Sequence, residues 1–144
     1  MTRTLTLIAV LACLLPLPSN ADSSSDPVAV VERHLVAYNA RDIDTFMTFF
    51  APDAELYEFP DKLLAKGTEA IRKRYTARFA EPNLHADITQ RIVVGNHVID
   101  HEHIIRTFPE GTGTWEAVAI SEVNGGVFTR MWFMSGAKTL DKSK

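Results

Sequence analysis

Residues 98–108 read VIDHEHIIRTF, and this stretch decides the fold. Gly95-Asn96 precedes it and Pro109-Glu110-Gly111-Thr112-Gly113 follows it. Strand-like runs flank it at 86–94 and 114–123. Such runs, separated by short glycine turns, make a β-meander, and the stretch reads as the central strand of the sheet. Strand side chains alternate between faces. Asp100 and Glu102 therefore share one face, and His101 and His103 share the other. With four titratable residues in a row, one face is expected to meet a pocket or a partner.

Working outward, Asn124-Gly125-Gly126 is a second hairpin signal, and 127–134 reads as the last strand. The polar stretch after it, 137–144, is expected to be a flexible tail. Upstream, Asp26-Pro27 opens a helix, with Asp26 as N-cap and Pro27 at the first helical position. Val31, His34, Leu35 and Tyr38 recur at helical spacing and mark its buried stripe. A second helix, capped by Asp42 or Asp44, carries Ile43, Phe46, Met47, Phe49 and Phe50, and Pro52-Asp53 breaks it. Residues 54–58 read as a short strand with Ala54, Leu56 and Glu58 on one face. Leu56 marks that face as the inner one, so Glu58 points inward too. Residues 62–66 read as a short edge strand. Gly67-Thr68 opens a third helix whose apolar stripe is Ile71, Tyr75 and Phe79, and Glu81-Pro82-Asn83 stops it. Helices segregated onto one face of an antiparallel sheet make an α+β domain. The expected architecture is a cone: a curved antiparallel sheet wrapped over three helices.

Arg3 followed by the apolar run 5–15 and by Ser19-Asn20-Ala21 reads as a secretory signal peptide, 1–21, cleaved after Ala21. The run is too short to anchor in a bilayer. The expected organisation is a signal peptide 1–21, a disordered leader 22–25, the cone domain 26–136 and the tail 137–144. The mature product is expected in the periplasm or medium, away from the membrane. Cys13 is the single cysteine of the 144 residues and lies inside the signal, so no disulfide or thiol nucleophile remains. Leu11 fits a lipidation box poorly, and an unlipidated product is expected. An apolar content of 46% and a formal net charge of −3 suit one ordinary globular domain. No basic excess or recognition motif points to nucleic acid.

The residues 31–34 (VERH), 38–42 (YNARD), 50–54 (FAPDA), 66–71 (KGTEAI) and 122–126 (EVNGG) give the chain a resemblance to SnoaL-like proteins of the nuclear transport factor 2-like superfamily, which includes the ketosteroid isomerases. The resemblance implies the cone fold, a cavity for a small apolar molecule, and pairing through the outer sheet surface. It also implies cofactor-free proton transfer next to a carbonyl. Such isomerases use an Asp base, with a Tyr and a protonated Asp donating to the enolate oxygen. By the resemblance the base falls at Glu58, the tyrosine at His34, and the aspartic acid near Ala119, whose side chain cannot donate.

The candidate catalytic residues are thus Glu58, His34, Asp100 and Glu102. Glu58 would be a base whose pKa is raised in an apolar cone. Asp100 and Glu102 would need donors such as His34, Arg91 or Trp132, and two close acids push one pKa up. Tyr38, Leu56, Ala119 and Trp132 are the candidate substrate-binding residues. His101 and His103 have a metal-compatible spacing, but Glu110 lies at the wrong offset to complete a site. No metal and no cofactor are expected. That face, with Trp115 and Phe133 as neighbours, is expected to pack on a second subunit in a homodimer. A non-catalytic binding or protein-interaction module is the competing reading, and Ala119 is its main support.

Overall fold

The computed structural model describes residues 24–141. The expected signal peptide, with Cys13, lies outside the described residues. Three helices, α1 (Pro27–Ala40), α2 (Ile43–Met47) and α3 (Gly67–Phe79), pack against one six-stranded sheet. Its strands are β1 (Phe50–Glu58), β2 (Lys62–Lys66), β3 (His85–Val94), β4 (His97–Phe108), β5 (Gly111–Asn124) and β6 (Val127–Leu140). The order across the sheet is β2-β1-β6-β5-β4-β3. All neighbours are antiparallel except β1 and β6. This is the expected α+β cone.

Local chemistry fixes the elements. The Asp26 carboxylate accepts from the Ala29 N–H at 3.0 Å and caps α1. Asp42 does the same for Thr45 at 3.1 Å and caps α2. Arg41 ends α1 in the left-handed region, φ 55°. The Asn39 side chain then reads β3 as a strand would: its Nδ2 donates to Ala86 O at 2.9 Å, and its Oδ1 accepts from Ala86 N at 2.8 Å. The core between helices and sheet is aromatic at one end, where His34 sits among the rings of Phe46, Phe49, Phe50 and Phe128.

Four differences from the sequence reading have physical causes. The stretch at 98–108 is not central: β4 lies next to the edge strand β3, because β6 crosses to pair with β1 and so puts β5 and β6 in the middle. The second helix ends at Met47, and Phe50 to Asp53 are strand. Pro52 is tolerated there because the β1–β6 ladder is interrupted between Phe50 and Glu55, where its missing N–H costs no bond. β6 runs on to Leu140, so the stretch expected to be a loose tail is paired: Thr139 opposes Thr114, and Leu140 opposes Gly113. The leader also differs at its end, where the Ser24 carbonyl accepts from Arg33 at 3.0 Å.

One irregularity positions the site. In the β3–β4 ladder Ile88 opposes Glu102 and Arg91 opposes Asp100, with an extra residue, Thr89, between Ile88 and Gln90. Strict alternation would put Ile88 and Arg91 on opposite faces. The bulge turns both inward.

Candidate active site

The concave face of the sheet and helices α1 and α3 enclose a cavity of about 190 Å³. Apolar walls come from Val31, Leu35, Ile104, Trp115, Met131 and Phe133. His34, Tyr38, Glu58, Asp100, Glu102 and Ala119 line it as well, so six of the eight residues singled out from the sequence border one space. Leu56 does not: it is fully buried in the core. Trp132 does not either, since its indole stacks on Tyr57 at 6.0 Å between centroids. Met131 and Phe133, its chain neighbours, take the inner face. Trp115 and Phe133 were expected beside the histidines, and they too are cavity residues.

Asp100 is held rather than free. Arg91 donates through Nε to Oδ1 at 2.7 Å and through Nη2 to Oδ2 at 2.8 Å. This bidentate geometry is the strong form of the carboxylate–guanidinium pair. A third bond, from Nη1 to Glu32 Oε1 at 3.2 Å, ties β3 to α1. With Asp100 taken up by Arg91, Glu102 is the carboxyl of the cavity that has no direct partner among the described residues. Its carboxyl is pushed up from 4.5 to about 7, first by burial and then by the charge of Asp100, while Arg78 and Arg91 pull the other way. Among the described residues Glu102 makes no hydrogen bond and no ion pair.

Arg78 projects from the last turn of α3 into the same cavity. Its one polar contact among the described residues is a long 3.5 Å approach from Nη1 to the Tyr38 hydroxyl. The guanidinium also sits 5.9 Å from the Trp115 ring. The sequence reading singled out only Ile71, Tyr75 and Phe79 on α3 and so missed Arg78. The signal available was its spacing, three residues after Tyr75, which puts it beside that helix's apolar stripe.

Glu58 differs most from expectation. It stands at the rim, with 46% of its side chain exposed, and Lys62 donates to it at 2.8 Å. That hydrogen bond holds its carboxyl below the usual range, with Lys62's charge and then Arg74's acting in the same sense. It is not a desolvated base. His34 is enclosed by phenylalanines, and burial pushes its imidazole down to about 3, so the ring is neutral. Its Nε2 is buried and has no hydrogen-bond partner among the described residues. No contact joins His34 to Glu58. Ala119 opposes Asp100 across β4 and β5 and offers only a methyl group.

The comparisons agree with the fold. A crystal structure of an uncharacterized cystatin fold protein from Novosphingobium aromaticivorans superposes with a TM-score of 0.68 at 27% identity, covering 74% of this chain and 96% of that one. A protein with a ketosteroid isomerase-like fold from Catenulispora acidiphila, solved in complex with trimethylamine, gives 0.63 at 18% identity, covering 72% and 82%. An NTF2-like protein of unknown function from Mesorhizobium loti gives 0.66 at 15% identity, covering 81% and 95%. No protein of curated function matches the sequence. The profile of the SnoaL-like domain matches residues 31–131, most of the chain, and the chain belongs to that family.

Proposed function

We propose that this protein binds a small, mostly apolar molecule with a carbonyl group and moves a proton within it, without a cofactor. One observation carries the reading: Glu102 and Arg78 share a cavity, and among the described residues neither is neutralised by a direct ion pair. In its ionised form Glu102 would take the proton from a carbon next to the carbonyl. The C–H electron pair would pass into an enolate, whose oxygen Arg78 and the Tyr38 hydroxyl can receive. Neutral Glu102 would then return the proton to another carbon, so the step is an isomerisation. Asp100 and Arg91 position this acid, and Glu58 guards the rim.

The cavity limits the ligand. A cavity of about 150 Å³ holds a benzene molecule, and this one is about 190 Å³. The ligand is thus of one- or two-ring size, and a steroid would have to protrude through the mouth. That a protein of similar fold was solved with trimethylamine supports a small guest. The competing reading is a binding module without turnover, and Ala119 favours it, since it stands where the resemblance puts the aspartic acid that donates to the enolate. Small enolisable ketones, with a Δ5-3-ketosteroid beside them, decide between the two in heavy water. Deuterium incorporation that disappears in Glu102→Gln supports catalysis. Ligand-dependent thermal stabilisation without incorporation supports a binder. The proposal extends to export after Ala21, to the periplasm or medium, and to a homodimer formed through the outer sheet face. Its support there is a row of half-buried apolar side chains, Ile99, Val118, Ile120, Trp132 and Met134.

A further inference from the structure

We infer that the outer face of the sheet carries a binding site for a divalent transition metal ion, formed by His101, His103 and Glu116. The sequence offers only the two histidines. The register supplies the third ligand, because β4 and β5 pair with His103 opposite Glu116. Glu116 Oε1 lies 3.3 Å from His103 Nε2 and 3.7 Å from His101 Nε2. One ligand atom from each residue falls within 4.8 Å of the others. Tetrahedral ligands about 2.0–2.1 Å from an ion stand about 3.3 Å apart, so small rotamer adjustments close the set.

A further contact orients the first ligand. The Thr89 hydroxyl donates to the His101 carbonyl at 3.1 Å. Its oxygen lone pair is then free to accept from His101 Nδ1–H at 2.8 Å. In that tautomer the Nε2 lone pair points toward the Glu116 carboxylate, 3.7 Å away, which is the direction a shared metal ion would occupy. Metal-bound imidazoles are held in this way by a partner on the other ring nitrogen. Thr89 is the extra residue of the β3 bulge, so the irregularity that aims Arg91 inward also sets this contact.

Two imidazoles and one carboxylate select borderline ions, Zn²⁺, Co²⁺, Ni²⁺ or Cu²⁺, over Mg²⁺ or Ca²⁺. In the single chain the three side chains are 37–44% exposed, so an ion can enter, and its open coordination position faces water or, where the proposed homodimer covers this face, the second subunit. The inference is independent of the cavity chemistry, since the histidines and Glu102 occupy opposite faces of β4.

The test is titration of the metal-free full chain with Zn²⁺ by calorimetry, and with Co²⁺ by visible absorption. One ion per chain is expected, with cobalt d–d bands that report nitrogen and oxygen ligation. His101→Ala, His103→Ala and Glu116→Gln should each weaken binding at least tenfold, while His85→Ala leaves it unchanged. Glu116→Gln keeps shape and exposure and decides the matter if a histidine variant fails to fold. An absence of binding at 100-fold excess of either ion would overturn the inference. So would binding that survives Glu116→Gln at full strength, or that depends on His85.

Discussion

Glu102 and His34 are both buried and titratable, yet they tilt stability in opposite directions. The carboxyl of Glu102 has a folded pKa of about 7 against an ordinary 4.5. The folded state therefore holds the proton more tightly, and stability falls as pH rises from about 4.5 to about 7. At about 1.4 kcal/mol per pKa unit the loss is on the order of 3 kcal/mol. Glu102→Gln should remove that slope in melts recorded across the window, and it should abolish proton transfer. Any wild-type kcat/KM should climb through a midpoint near 7, since the base must be ionised. For His34 the folded pKa is about 3 against 6.5, so its contribution is full above 6.5 and is lost as pH falls. His34→Phe should flatten the acid side of the profile while keeping the ring packing; His34→Ala should cost about 3 kcal/mol as a truncated buried ring. Arg91→Met should be costlier than either conservative change, about 3–5 kcal/mol, because Asp100 is left charged and unpaired; a chemical-denaturation midpoint matching wild type would contradict this. That Asp100 and Glu102 share a face was legible from alternation in β4, but which face turns inward was not, because the opposite set, with His101 and His103, is polar too. Nor was it in β6: Met131 and Phe133 alternate with Trp132 and Met134, both sets are apolar, and alternation then carries no phase. Glu58 was read correctly as facing the inside, but the closing of β2 that brings Lys62 to it leaves no mark in a periodicity.

Among the elements, α1 is fastened to the sheet through one amide. The two Asn39–Ala86 bonds act as a single rung of β-ladder at the end of a helix. Asn39→Ala removes both and strands the Ala86 peptide, which is buried at 3% exposure. A loss of about 1–3 kcal/mol is expected, read as a lower melting temperature with faster amide exchange in β3. The end of β6 makes a second test. A Cβ on Gly113 would collide with the Thr139 carbonyl and lie 2.9 Å from Leu140 Cα. Gly113→Ala should therefore lift the last residues of β6 away at a cost of about 1–3 kcal/mol, seen as lost exchange protection at 138–140 with the cavity strands unaffected. The sequence announces Gly113 as turn material because Pro109, Gly111 and Gly113 crowd together. It says nothing of the β6 backbone passing over it, a contact between segments some 25 residues apart. The starts of α1 and α2 were readable because their aspartate caps are local chemistry. The end of α2 was not, since the interrupted ladder that accepts Pro52 belongs to β1 and β6 together.

For the whole molecule, the outer sheet face is where assembly is proposed. Light scattering at micromolar concentration should give twice the chain mass, and Trp132→Glu should give a monomer with its cavity intact. Intact-mass measurement of the exported product should find Asp22 as its first residue. The fold class was legible in full from the order of helices, strands and glycine turns. The strand order was not, because the parallel contact of β1 with β6 joins distant segments and follows from the closing of the cone.

The bulge at Thr89 makes the two faces of this sheet a matter of counting. Excising that single residue would restore even pairing in β3 and leave Arg91 two positions after Ile88, still inward and still opposite Asp100. The same excision would take the hydroxyl from His101. Substitution and deletion at 89 are thus both expected to spare the cavity and to act on the outer face, through His101. The extra residue serves the exterior, and the interior keeps its alternation with or without it.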